Sequence, residues 1–223
     1  MSITQSAAEF MACQEARVRA LGVRKRIVFP EGGDARVLAA AGKLAHEGLA
    51  EPVLVGRKPA GAPEGVTFID PESSPRLKTY AALYYERRRA RGVTELEAAR
   101  VARQPLHFAK LMVAAGDADG SVGGAATSSA EAVRAAIHCI GTQPNVRTVS
   151  SAFLLAVQDR SFGHNGLLTL ADCAIVVDPT PAQLADIAIA AAETTRLLLN
   201  TEPAVALLSF STRGSARHKL VEK

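Results

Sequence analysis

The chain has 223 residues, of which 48% are hydrophobic and 4% aromatic, and its formal net charge is +4. This length allows one large α/β domain or one domain with part of a second, and the alanine-rich composition favours helices over a parallel sheet rather than a β-sandwich. With no apolar run near the ~18 residues that span a bilayer, no signal peptide and no aromatic-interleaved basic stretch, we predict a cytoplasmic protein that binds neither membrane nor nucleic acid.

The first half of the chain alternates helices and strands in the order of a parallel sheet. An amphipathic helix over 5–21 precedes a strand at 26–29, a helix from the N-cap Asp34 to Gly48, and a strand at 52–56. The last three form a βαβ unit. After a Pro- and Gly-rich loop, we predict a strand at 66–70, helices at 74–91 and 94–115, a weak strand at 118–122 and a helix at 130–140.

The second half has a different character. Long apolar strands are predicted at 148–157 and 172–177 with a polar loop at 158–165 between them, and Pro181 opens a helix that leads to a final strand at 204–208. A boundary near Pro144 and Asn145 then separates a first α/β/α domain, 1–145, from the N-terminal part of a second, 146–223.

The first candidate site is the segment 123–129, which follows the weak strand. Its two glycines permit close approach of the backbone, and Thr127, Ser128 and Ser129 offer hydroxyls to an anion. Arg134, about one turn into the next helix, is a candidate phosphate clamp. The alternative is a Ser/Thr N-cap followed by an exposed arginine.

The second candidate site is the segment 211–215 after the final predicted strand. Ser211, Thr212, Arg213 and Gly214 combine hydroxyls, a guanidinium and glycine-freed amides at the carboxyl end of a strand, where open α/β sheets bind ligands. The alternative is an ordinary polar loop. Neither segment has the Gly-Lys-Ser/Thr of a P-loop, so ATP chemistry is not indicated.

Other conspicuous segments favour structural roles. The segment 30–36 lacks dinucleotide-binding glycine spacing and carries two acids, so a turn and a helix cap account for it better. The arginine-rich run 87–91 fits a solvated helix face, from which one arginine could reach a cleft. The three cysteines and five histidines show no metal-ligand or disulfide spacing, and Cys139 and Cys173 fit buried, inert thiols.

Taken together, these segments resemble the phosphate acetyltransferase and phosphate butyryltransferase family. The matching stretches cover nearly the whole chain: 28–32 with Asp34 and Arg36, 118–120 through Thr127 to Arg134, 171–174, 179–181 with 183–188, 193–194 and 208–215. The last two stretches are specific to that family.

The resemblance implies transfer of an acetyl or short acyl group between acyl phosphate and coenzyme A, by attack of the coenzyme A thiolate on the acyl carbonyl. It implies two three-layer α/β/α domains with mostly parallel sheets, similar to isocitrate and isopropylmalate dehydrogenases, and a homodimer. Coenzyme A is then a substrate, and no cofactor or metal is expected. The substrate-binding candidates are Arg88, Thr127, Ser128, Ser129, Arg134, Ser211, Thr212 and Arg213.

The resemblance also implies about a hundred further residues in a complete family member. That segment carries the Ser-Arg pair and the aspartate base, so we expect the catalytic residues to lie beyond Lys223. We further expect the second domain to be incomplete and the chain to be unstable, oligomeric or a fragment. The competing interpretations are a non-catalytic module that binds acyl-CoA or acyl phosphate or mediates dimerisation, and an unrelated phosphosugar- or nucleotide-binding domain.

Overall fold

The computed structural model describes residues 3–144 and 146–222. The chain divides into two compact units. We call Val18–Gly141 the large-sheet unit, and Met1–Arg17 with Thr142–Lys223 the hairpin unit. The predicted domains, 1–145 and 146–223, stay a prediction, because a division by contacts does not test which segments fold independently.

A four-stranded parallel sheet forms the centre of the large-sheet unit. Its strands are β1 (Arg26–Phe29), β2 (Glu51–Val55), β3 (Thr67–Ile69) and β4 (Gly120–Ser121), in the spatial order β3-β2-β1-β4. The predicted βαβ unit is confirmed, since β1 and β2 pair in parallel register. The weak strand is confirmed as two residues that pair with the middle of β1. The loops after β1 and β4 therefore leave the same edge of the sheet.

Helices cover both faces of this sheet, because successive strand side chains point to opposite sides. Phe29 and Leu54 pack with Val37 and Ala41 on one face. Val28, on the other face, belongs to a larger cluster with Tyr80, Tyr84, Phe108, Leu111 and Cys139. The helices of this unit are α2 (Ala35–His46), α3 (Leu77–Arg88), α4 (Glu95–Ala102), α5 (Pro105–Ala114) and α6 (Ser129–Cys139). The predicted three-layer α/β/α arrangement is thus present.

The single helix predicted over 94–115 is wrong, because the chain breaks it into α4 and α5. Thr94 and Glu97 form the predicted capping box at its start. The break falls at Gln104, which has an extended backbone (φ −68°, ψ 127°), and Pro105 then opens α5. Proline disfavours a helical conformation in the preceding residue and suits the first position of a new helix.

The described residues of the hairpin unit include an antiparallel strand pair, two helices and the larger part of a third. Strands β5 (Ala152–Ala156) and β6 (Leu167–Ala171) form the pair. Helix α7 (Pro181–Leu199) packs against β6, and α8 (Lys219–Glu222) is a single turn. Helix α1 (Gln5–Ala20) bonds to this unit at two places. Glu9 forms a two-bond ion pair with Arg160, both distances being 2.8 Å, and Arg17 donates to the Leu197 carbonyl of α7 at 2.9 Å.

The strands predicted at 172–177 and 204–208 are wrong. The Asp172 carboxylate accepts hydrogen bonds from the amides of Ala174, Ile175 and Val176, which removes those donors from any sheet ladder. Residues 204–208 have no strand partner among the described residues, and Leu208 is 88% exposed. Apolar residues alone do not form a strand, because its backbone groups need a neighbouring strand.

Helix α7 begins with a capping box, and its contribution to the stability of the protein can be tested by substitution. Thr180 accepts a hydrogen bond from the Gln183 amide, and the Gln183 side chain accepts one from the Thr180 amide. We expect Thr180→Ala to lower the free energy of unfolding by about 1 kcal/mol, because one amide of the first turn loses its acceptor. Denaturant unfolding measures this. Thr180→Ser is the control, and equal stability of the two variants would contradict the assignment.

Candidate functional site

The glycine-rich loop after β4 forms an anion-binding nest that one of the chain's own carboxylates fills. Glu31 Oε2 accepts hydrogen bonds of 3.0 Å from the amides of Gly124 and Ala125. Its Oε1 accepts bonds from the Ala126 amide at 2.7 Å and the Thr127 hydroxyl at 2.9 Å. Burial alone would raise the pKa of Glu31, but these donors together hold it below its usual value. The loop binds an anion, as its sequence indicates, and that anion is internal.

The hydroxyls of this segment have different surroundings. Ser128 is the N-cap of α6 and forms a capping box with Glu131. The alternative interpretation of Ser128 as a helix cap is therefore correct for its hydrogen bonding. Ser129 is the first residue of α6 and is exposed. Thr127 is half-buried and donates to Glu31.

Arg88 is the member of the arginine run that turns inward. Arg87 donates to the Ile140 carbonyl at 2.8 Å at the end of α6, and Arg89 pairs with Glu86 at 3.1 Å. Arg88 is half-buried, and its Nε is buried without a hydrogen-bond partner among the described residues. Its positive charge acts on the neighbouring Tyr84, whose pKa burial raises. A buried guanidinium nitrogen without a partner suits a site that receives an anion.

Arg88 and Arg134 both influence the same imidazole. The pKa of His138 is lowered by burial and then by the positive charges of Arg88 and Arg134. Burial likewise lowers the pKa of His107, with a further contribution from His138. Helices α3, α5 and α6 therefore bring two guanidiniums and two imidazoles together, although these residues lie far apart in the sequence. We call Arg88, His107, Arg134 and His138 the basic cluster.

A pocket of about 420 Å³ opens beside the basic cluster. Arg134 and His107 line it, together with Ala126 and Thr127 from the nest loop and Gln104 from the break between α4 and α5. Arg134 is exposed, and the Nδ1 atom of His107 is buried without a partner in the described part of the chain. The lining thus combines the Arg134 guanidinium, the unpartnered Nδ1 atom of His107 and the carboxylate of Glu131, which already accepts hydrogen bonds from Ser128 in the helix cap. A guanidinium beside an imidazole suits a small oxyanion.

The second predicted segment lies in the hairpin unit and is largely exposed. The Ser211 hydroxyl accepts a bond from the Ala216 amide at 3.0 Å and donates to the Ala216 carbonyl at 3.2 Å. Thr212 and Arg213 lie in a short 3₁₀ turn, where Arg213 has a left-handed backbone with φ 50°. The strand expected at 204–208 is absent from the described residues, so this segment does not lie at the carboxyl end of a strand.

Asp172 does not suit the role of a general base. Its carboxylate accepts hydrogen bonds from Ser151 Oγ at 2.5 Å and from the amides of Ser151, Ala174, Ile175 and Val176. Burial opposes ionisation, but these donors together lower the pKa of Asp172 to about 2. Such a carboxylate holds a proton too weakly to take one from a thiol of pKa about 8.5.

Comparison with known proteins decides the family. Residues 11–223 match the family model described as phosphate acetyl/butaryl transferase. The chain belongs to this family. A phosphate acetyltransferase from Clostridium acetobutylicum is 42% identical over 209 residues, which are 90% of this chain and 63% of that protein. One from Thermoanaerobacterium thermosaccharolyticum is 40% identical over 230 residues, which are 100% of this chain and 67% of that protein.

A solved structure supports the fold of this phosphate acetyl/butaryl transferase family member. The crystal structure of a phosphotransacetylase from Streptococcus pyogenes superposes with a TM-score of 0.85 at 33% identity, covering 100% of this chain and 67% of that one. The chain spans 63% and 67% of the lengths of the two curated relatives named above. Within the described residues, no helix is long and apolar enough to cross a membrane, and no three metal-ligating side chains come together.

Sequence reasoning missed two features of this family member's site. Glu31 was assigned to a turn, yet its carboxylate fills the nest. The signal was available, since Glu31 follows β1 and the nest follows β4, and loops at the same ends of neighbouring parallel strands meet. His107 and His138 had no recognisable signal, because only the packing of α5 against α6 brings them together.

The basic cluster predicts a pH dependence of anion binding. The folded protein binds the His138 proton more weakly than the unfolded chain does, so protonation near pH 6.5 destabilises the protein without ligand. A bound dianion would raise the pKa of His138, so binding takes up a proton. We expect sulfate to bind up to about tenfold more tightly as the pH falls from about 8 to about 5.5.

Calorimetric titration with sulfate at several pH values measures this dependence. Sulfate is the probe because its charge stays constant over that range, unlike that of phosphate. His138→Gln should flatten the dependence, and the control His46→Gln, at an exposed position in the same unit, should not. Equal slopes in both variants would contradict the role of His138.

Proposed function

We propose that the chain takes part in transfer of an acetyl or short acyl group between acyl phosphate and coenzyme A. In this reaction the coenzyme A thiol first gives up its proton to a base. The thiolate sulfur then forms a bond to the acyl carbon, the bond from that carbon to the phosphate oxygen breaks, and phosphate leaves with the electron pair of that bond. Family membership supports the reaction. The observation that carries the assignment to this chain is the pocket lined by Arg134 and His107, together with the half-buried Arg88, whose Nε is buried without a partner among the described residues.

We assign the phosphate end of the substrate to the basic cluster. Arg134 and Arg88 would hold phosphate oxygens by charge-assisted hydrogen bonds and stabilise the negative charge that develops as the phosphate leaves. Thr127, in the nest loop, and Ser129, the first residue of α6, are further candidates for contact with the phosphate. We also propose that the half-buried Ser211 and the exposed Thr212 and Arg213 contact the remainder of the substrates. We propose no cofactor, because coenzyme A is itself a substrate.

We also propose a cytoplasmic homodimer without a nucleic-acid partner. The arginines are interspersed with acidic residues, which argues against a nucleic-acid partner. The resemblance to phosphate acetyltransferases is the reason for proposing a cytoplasmic homodimer. Light scattering of the purified chain tests the oligomeric state, and a monomer over the working concentration range would exclude the dimer.

A coupled assay that follows acetyl-CoA formation from acetyl phosphate and coenzyme A tests the reaction. Calorimetric titration of the chain with each substrate runs in parallel. Turnover that Arg134→Gln abolishes would support the proposal. Binding of both substrates without turnover would favour the non-catalytic binding module. Stabilisation by nucleotides but by neither substrate would contradict both.

A further inference from the structure

The carboxylate of Glu31 is the internal anion of the nest loop 124–127, and each of its two oxygens accepts hydrogen bonds from a different pair of residues. Oε2 accepts hydrogen bonds from the amides of Gly124 and Ala125, which are not among the residues that line the pocket. Oε1 accepts the Ala126 amide and the Thr127 hydroxyl. Ala126 and Thr127 are the residues of this loop that line the pocket beside Arg134. A single oxygen therefore holds both of the loop's contributions to the pocket wall.

The backbone around Glu31 fixes where this carboxylate points. A Cβ atom on Gly32 would lie 2.6 Å from the Val55 carbonyl oxygen, and one on Gly123 would lie 2.8 Å from Cγ of Pro30. The turn after β1 therefore packs closely against the end of β2 and against the start of the nest loop. No side chain larger than hydrogen fits at these two positions without a shift, so glycine permits this approach.

Arg36 strengthens the same attachment. Its Nη2 donates to the Ala125 carbonyl at 2.7 Å and to Asp34 Oδ2 at 2.7 Å. The loop is thus held through its amides by Glu31 and through a carbonyl by Arg36. Ser128 follows directly as the N-cap of α6, the helix that carries Arg134. A displacement of the loop would move the pocket wall and the start of that helix together.

We propose that Glu31 is a positioning residue: its carboxylate occupies the nest in place of the substrate phosphate and sets Ala126, Thr127 and the start of α6 at the phosphate pocket. This inference rests on the proposed function, since it concerns the same pocket. It excludes the nest amides from substrate binding and leaves the phosphate to the basic cluster. A carboxylate with four donors is well matched to this task, because each donor orients a different atom of the loop.

Removal of the carboxylate should weaken phosphate binding, and a small carboxylate should restore it. We expect Glu31→Ala to bind inorganic phosphate about tenfold more weakly than the parent chain, because the pocket wall loses its fixed position. Sodium formate should reverse most of this loss and raise the unfolding temperature of the variant, while sodium chloride at equal ionic strength should do neither. Formate should not strengthen phosphate binding to the parent chain.

Two further variants keep the test decisive. Glu31→Gln retains one oxygen acceptor, so it should fold where Glu31→Ala does not and bind phosphate about threefold more weakly than the parent. Glu64→Gln, at an exposed loop position in the same unit, is the matched control and should bind like the parent.

Titration calorimetry at a temperature where every variant is folded separates the outcomes. Lower stability with unchanged phosphate affinity would overturn the proposal, because Glu31 would then be merely structural. Tighter phosphate binding by Glu31→Ala would also overturn it, since the nest itself would be the phosphate site. If the parent does not bind phosphate, the proposed function fails, and formate rescue of stability alone then decides whether Glu31 holds the loop.

Discussion

Replacing Arg134 by glutamine is expected to weaken binding of inorganic phosphate by about 10-fold to about 100-fold. A charge-assisted hydrogen bond contributes about 1.5–3 kcal/mol, and glutamine keeps the approximate length of the side chain but loses its charge. Arg88→Gln should have an effect of similar size, because the buried Nε of Arg88, which has no partner among the described residues, is proposed to bind a phosphate oxygen. Titration calorimetry on the parent and both variants measures the change.

The arginine run offers a matched control for this experiment. Arg91 is exposed and lies three residues from Arg88. Arg91→Gln therefore removes one positive charge, as Arg88→Gln does, but leaves the basic cluster unchanged. Arg91→Gln should weaken phosphate binding by less than about threefold, as expected for a surface charge that salt screens. A loss in Arg91→Gln equal to that in Arg134→Gln would show that net charge, rather than the pocket, governs phosphate binding.

Replacing Asp172 by asparagine is expected to lower the free energy of unfolding by about 3 kcal/mol at neutral pH. The carboxylate accepts bonds from Ser151 and from the following turn, and asparagine retains only one of its two acceptor oxygens. Because folding lowers the pKa of Asp172 from 3.8 to about 2, its stabilisation is fully present above about pH 4 and is lost as the pH falls through about 2.

Denaturant unfolding as a function of pH tests the role of Asp172 directly. The parent should lose stability between about pH 4 and about pH 2, and Asp172→Asn should lose less over the same range. Asp159→Asn is the control, since Asp159 accepts a hydrogen bond from the Ser161 amide in an exposed loop of the same unit. This substitution should lower the free energy of unfolding by less than about 1 kcal/mol. Equal stability of the parent and Asp172→Asn would refute the assignment.

Local patterns predicted most elements of the large-sheet unit. The strands at 26–29, 52–56 and 66–70 and the cap at Asp34 are confirmed, because hydrophobic runs and capping residues act over a few neighbours. Pro105 was overlooked as a helix boundary although its effect is equally local. The strand predicted at 172–177 failed for a different reason, since Asp172 competes for the backbone amides that a strand needs.

The candidate site divides in the same way. The glycines and hydroxyls of the segment 123–129 are contiguous, so the sequence predicts an anion-binding loop there. The sequence does not predict that the Glu31 carboxylate occupies it, because Glu31 is 93 residues from Gly124 in the chain. The resemblance to the family predicts Arg88, out of a run of arginines, as a substrate-binding residue. In the structure Arg88 is half-buried, while Arg87 donates to the Ile140 carbonyl at the end of α6.

The sequence by itself determined the family and the α/β alternation, because these follow from contiguous patterns of glycines, hydroxyls, arginines and apolar residues. Only the tertiary structure decided which anion the nest holds and which side chains surround the pocket. Both depend on parallel pairing of β1 with β4 and on packing among α3, α5 and α6. Residues distant in the chain meet there, and short-range sequence patterns do not encode such contacts.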